Sequence, residues 1–158
     1  MSKDTQVVPS NLPDFTLDST SGIIKLDEFA RGSRKVLVFY PADNSPVCSS
    51  QLSIYNQALP IFDRYHAKII GISTDSKTSH TKFAKNLNLH FPLVLDTDQN
   101  THESLAKTLD VYNEKEKVAK RAIFVYDEHD HLVWNAVYPD HVNPGADGIL
   151  QALDSLNT

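Results

Sequence analysis

The stretch VLVFYPADNSPVCSSQLSIY, residues 36–55, decides the fold. Val36–Tyr40 is a continuous apolar, partly β-branched run, the pattern of a strand buried on both faces of a sheet. Pro41 ends that strand, because proline cannot donate to a central ladder. Ser45 and Pro46 then open a helix: a hydroxyl N-cap, followed by proline at N1 where a missing N–H costs nothing. Counting on, Val47 is N2 and Cys48 is N3. Cys48, Leu52, Tyr55, Leu59 and Phe62 recur at steps of four and three, so one helix face is apolar and carries the sulfur at its top, partly shielded. The helix runs from Pro46 to about Tyr65, with a kink expected at Pro60. The loop Pro41–Asn44 therefore lies at the carboxyl edge of the sheet, where open α/β sheets bind ligands.

Outward from this unit the periodicity gives a second buried strand at Lys68–Ser73 and a helix from Asp75 or Ser76 to about Asn88. Phe91–Leu95 is extended, and a helix covers Gln99–Leu109. Arg121–Tyr126 and Leu132–Tyr138 flank the turn Asp127–His131 as an antiparallel hairpin, and Gly148 to about Leu156 is the closing helix. Upstream, Phe15–Leu17 and Ile23–Leu26 are short strands around the turn Ser19–Gly22, and Gly32 stops a short helix at Asp27–Ala30. Residues 1–12 read as a loose N-terminus. No repeat or Gly/Ser/Pro-rich linker divides the chain, so the expectation is one α/β domain over residues 1–158, a mixed sheet flanked by helices.

Composition narrows the function. The chain has 158 residues, with 15 basic against 20 acidic side chains and a net charge of −5. No stripe of Lys or Arg provides the footprint of a nucleic-acid binder. The longest apolar runs are about five residues, far below the roughly 20 of a membrane span. The opening MSKDTQVV has no apolar core and no cleavage site, so a cytoplasmic protein is expected. A single cysteine excludes an internal disulfide, a CxxC dithiol and a thiolate zinc cluster.

Cys48 is either a small buried hydrophobe or the centre of the chemistry. Its N3 position sets it beside free backbone N–H groups and the positive end of the helix dipole, and both favour thiolate over thiol. The thiolate is the nucleophilic form. Other constellations are weaker. His129 and His131 around Asp130 read as a polar turn before a metal clip, His80 as a packed or capping residue, and Asp75 as an N-cap. Asp96 and Asp98 lack the glycine and glutamate of a calcium loop, and Glu114–Lys117 reads as a solvated loop. No metal site or cofactor is expected.

The residues also carry a resemblance. FYPADNSPVCSSQL, residues 39–52, resembles the peroxidatic motif of the peroxiredoxins, Pro-x-x-x-Thr/Ser-x-x-Cys, with Pro41, Ser45 and Cys48 in register. GISTDSKTSHTKFA with FPLVLD, KRAIFVYDEHDHLVW and NPGADGIL are similar to later segments of the family in the same order. The bacterioferritin-comigratory, or Q-type, group is the one resembled. That implies a thioredoxin-like fold with an N-terminal β-hairpin extension, and thiol-dependent reduction of hydrogen peroxide and organic hydroperoxides. Cys48 would become a sulfenic acid, Ser45 would orient the peroxide, Pro41 would shield the thiolate and Arg121 would stabilise developing negative charge. Val47, through its backbone N–H, and Gln51 would assist at the substrate. Positions that hold a resolving cysteine in other members are Ser53 and Ala84 here, so an external thiol is implied: thioredoxin, glutaredoxin or a low-molecular-weight thiol. A monomer or weak homodimer is implied as well. The alternative is a peroxide sensor that passes its oxidation to a partner protein.

Overall fold

The computed structural model describes residues 8–157. Strands β1 (Thr16–Leu17) and β2 (Ile24–Lys25) form a small antiparallel hairpin. Then come β3 (Arg34–Phe39), helices α1 (Pro46–Gln57) and α2 (Leu59–Arg64), β4 (Ala67–Ser73), α3 (Lys77–Leu87) and β5 (Leu93–Leu95). The second half holds α4 (Leu105–Thr108), β6 (Tyr112–Asn113), β7 (Val118–Ala119), β8 (Arg121–Tyr126), β9 (Leu132–Tyr138) and α5 (Asp147–Ser155). The central sheet has five strands in the order β5-β4-β3-β8-β9. β3, β4 and β5 run parallel, whereas β8 is antiparallel to β3 and β9 to β8.

β3 is buried along its whole length, as the apolar run requires. Its alternate residues feed two cores. Val36, Val38 and Tyr40 join the helix side with Leu52, Phe62, Phe83 and Leu153. Leu37 and Phe39 join the other side with Ile70, Ile72, Val94 and Leu105.

Local competition explains where the elements depart from expectation. The long helix breaks at Ala58, two residues before Pro60, because the proline ring and its missing N–H disrupt the turn ahead of it. Asp27–Ala30 makes only a turn: Phe29 N–H reaches Lys25 O, but Ala30 swings to φ +48° and stops propagation. The helix expected from Gln99 begins at Leu105 instead. Asp98 takes the N–H groups of Asn100 and Thr101, and His102 sits at φ +63°, outside helical space. Ser104 is the true cap. The hairpin β6–β7 was not anticipated, since two-residue strands carry no readable period.

The loose N-terminus is corrected in part. Leu12 N–H donates to Asp130 O at 2.9 Å and Leu132 N–H to Ser10 O at 2.7 Å, which pins residues 10–12 to the β8–β9 turn. Residues 1–7 lie outside the described residues.

Gly71 in β4 has no room for a side chain: a Cβ there would lie 2.8 Å from Leu93 Cδ2 and 3.4 Å from Tyr40 Cε1. Gly71→Ala should destabilise the protein by about 1–3 kcal/mol through overpacking. The check is a lower urea midpoint at unchanged m-value; an unshifted midpoint would show that Leu93 moves aside freely.

Candidate active site

The site is built where β3 gives way to α1. Tyr40 N–H still donates to Ile72 O, so the ladder holds up to the residue before Pro41. Asn44 then takes φ +68°, a left-handed conformation that asparagine tolerates, and reverses the chain. Ser45, extended at φ −71° and ψ 145°, caps α1: its Oγ accepts the Cys48 N–H at 3.1 Å. Cys48 is thus N3, as its spacing required. It is fully buried, not partly shielded, because its side chain closes the top of the apolar stripe formed with Leu52 and Tyr55.

Arg121 arrives from the opposite side of β3. The register pairs Phe39 with Ala122, so the first residue of β8 lies beside the end of β3. Its guanidinium Nη2 stands 3.4 Å from Cys48 Sγ. Nη2 and Nε also donate to Asp140 O at 2.7 and 3.2 Å, and Nη1 donates to Gln51 Oε1 at 2.5 Å. Gln51 in turn donates to Tyr55 Oη, and the Tyr55 hydroxyl donates to Gly145 O. Burial pushes the Tyr55 hydroxyl far above its ordinary range, which keeps it a donor. Arg121 is 1% exposed, and among the described residues no carboxylate lies within ion-pair range of it. Burial of a cation costs several kcal/mol unless an anion or strong acceptors compensate. Carbonyl and amide oxygens supply part of that compensation, and the sulfur is the remaining neighbour.

A cavity of about 330 Å³ opens over this arrangement, lined by Pro41, Ser45, Pro46, Val47, Arg121, Asp140 and His141. Its walls are almost wholly apolar. Four of the six residues singled out from the sequence, Pro41, Ser45, Val47 and Arg121, line it; Cys48 does not, but it touches two of the lining residues, Ser45 through its N–H and Arg121 through its sulfur. Gln51 is buried behind Arg121 and faces it rather than the cavity. Sequence reasoning missed the Asp140 carbonyl and His141. Backbone acceptors leave no trace in composition, and nothing in the sequence brings the β9–α5 connection to α1.

Asp75 does not cap α3; Ser76 does, and Asp75 instead accepts the N–H of Asp43 and the hydroxyl of Ser73. His80 is fully buried between Asp43 and Val94 O. Asp43, Asp75 and His80 place ligand-type atoms within 4.8 Å of one another, yet each is engaged with protein donors or acceptors. In the hairpin turn Asp127 Oδ1 accepts the backbone N–H groups of His129 and His131, which accounts for that trio as a turn.

The AhpC/TSA family model matches residues 8–135. Peroxiredoxin Bcp of Xanthomonas campestris is 33% identical over 92% of this chain and 92% of its own. A solved structure of Xanthomonas campestris peroxiredoxin Q superposes with a TM-score of 0.81 at 30% identity, over 96% of this chain and 97% of the other. The yeast mitochondrial 1-Cys peroxiredoxin superposes with a TM-score of 0.84 at 27% identity, over 97% of this chain and 77% of that one. Motif, fold and site geometry agree with these matches: the chain belongs to the AhpC/TSA family and is a peroxiredoxin, a thiol-dependent peroxidase.

Proposed function

We propose that Cys48 is the peroxide-reacting sulfur, and the observation that carries this is the buried Arg121 guanidinium at 3.4 Å from Sγ, with no carboxylate in ion-pair range among the described residues. The thiolate attacks the terminal oxygen of a hydroperoxide bound in the apolar cavity. The S–O bond forms as the O–O bond breaks, giving the Cys48 sulfenic acid and an alkoxide or hydroxide that takes up a proton. Arg121 faces the charge as it moves from sulfur to the leaving oxygen. Ser45 Oγ accepts from Cys48 N–H, so its own hydroxyl proton is available to orient the peroxide. Pro41 and Val47 form the dry walls, and Gln51 holds the guanidinium in place.

Cys48 is the one cysteine in the chain, so the sulfenic acid is reduced from outside. A first thiol displaces water to form a mixed disulfide, and a second thiol releases Cys48 as thiolate. Thioredoxin, glutaredoxin and low-molecular-weight thiols are the candidate reductants. A monomer or weak homodimer completes the reading on the strength of the Q-type resemblance, acting in the cytoplasm as one domain on the strength of the composition. The apolar walls favour alkyl hydroperoxides over hydrogen peroxide, because each added methylene in such a pocket contributes about 1–3 kcal/mol to discrimination.

Cys48→Ser should remove peroxide consumption and leave the fold intact, as read by stopped-flow with a thiol reductant and by the far-UV spectrum. Turnover above background in this variant would reject the mechanism. Arg121→Ala deletes a charge-assisted contact of about 1.5–3 kcal/mol. The second-order rate with peroxide should fall about 10- to 100-fold. A rate within twofold of the parent protein would mean that Arg121 serves packing alone.

A further inference from the structure

The loop that carries Pro41 and Ser45 is held from behind by a closed polar cluster that the peroxidase steps do not use. Asp43, 8% exposed in the middle of that loop, is its hub. Tyr40 Oη donates to Asp43 Oδ1 at 2.6 Å and Ser79 Oγ donates to Asp43 Oδ2 at 2.8 Å. His80 Nδ1 lies 2.8 Å from the same Oδ2, and His80 Nε2 lies 3.0 Å from Val94 O. The Asp43 N–H donates to Asp75 Oδ2 at 2.8 Å. The loop is thereby tied to α3 through Ser79 and His80, and to β5 through the His80 ring.

Val94 O is an acceptor only, so His80 Nε2 carries a proton. Nδ1 and Asp43 Oδ2 share one proton between them, and with it on either atom the Tyr40 and Ser79 hydroxyls still donate to the carboxyl. Burial and the adjacent Asp43 push the Tyr40 hydroxyl well up, so it remains a donor.

We propose that the Asp43–His80 pair is a positioning device for the Pro41–Ser45 loop. That role rests on Cys48 being the peroxide-reacting sulfur. A loop held this way keeps Ser45 Oγ and the Pro41 ring fixed relative to Sγ. Misplacement by about 1 Å can lower a rate roughly 100-fold.

The test is kinetic. Asp43→Ala should slow reaction with peroxide at least ~10-fold, and Asp43→Asn, whose amide still accepts from Tyr40 and donates to Nδ1, should recover most of that loss. An undiminished rate in Asp43→Ala, or a loss that Asp43→Asn does not recover, overturns the positioning role. If Asp43→Ala does not fold, Tyr40→Phe decides instead, since it removes the donor to Oδ1 and keeps the ring in the core: a rate equal to that of the parent protein overturns the role. Peroxide consumption by the parent protein is measured first, so that a failure of the catalytic reading, which takes the positioning role with it, is told apart from a failure of the pair alone.

Discussion

A guanidinium taken out of water has to be answered on all sides, and Arg121 is answered by three groups from two distant parts of the chain. The Asp140 carbonyl comes from the β9–α5 connection, the Gln51 amide from the second turn of α1, and the Cys48 sulfur from the first turn. Arg121 itself opens β8. These meet only if β8 pairs with β3 in the observed register and α1 starts at Ser45. A shift of one residue in β8 would point the guanidinium to the opposite face of the sheet. The site therefore depends on the topology as a whole, and the charge in turn penalises any packing that leaves it unanswered.

The opposite end of β3 shows the same logic with a different solution. Arg34 and Lys35 are buried there too, but each has an acid: Glu128 for Arg34 and Asp130 for Lys35, both from the β8–β9 turn. Backbone carbonyls of Tyr65, Leu156 and Ser33 complete their shells, and the pairs tie the turn to the sheet. At the carboxyl end Arg121 has no carboxylate in ion-pair range among the described residues, and the side chain it meets is the Cys48 thiol.

What could be read in the sequence follows the range of the forces involved. Arg121–Tyr126 and Leu132–Tyr138 match the observed strands because the apolar run of the first, the alternation of the second and the Asp127–His131 turn between them are local signals. The Ser45 cap and the N3 placement of Cys48 are equally local. The segment after Asp98 misled because its carboxylate also accepts the N–H of Thr16, 82 residues away, and the loop closes around that bond instead of winding into a helix. His80 was read as packing or capping, but its true surroundings depend on where the loop after β3 folds back. The Asp140 carbonyl had no signal at all. Side-chain types announce chemistry; the backbone atoms that complete it emerge only from the fold.

Under the proposed mechanism Cys48 belongs at once to the core and to the chemistry, which constrains both. The sulfur fills the top of a stripe with Leu52, Tyr55 and Phe62, where a small apolar group is needed. Its neighbours on the other side are a cation and the free first turn of a helix, where an anion is favoured. Thiol suits the first role and thiolate the second, and no other side chain of that size covers both. Serine keeps the volume yet holds its proton at neutral pH, so it can pack there without acting as the nucleophile. Leucine or alanine would satisfy the stripe and leave Arg121 with one partner fewer. The position thus selects cysteine twice over, by packing from below and by charge from the side.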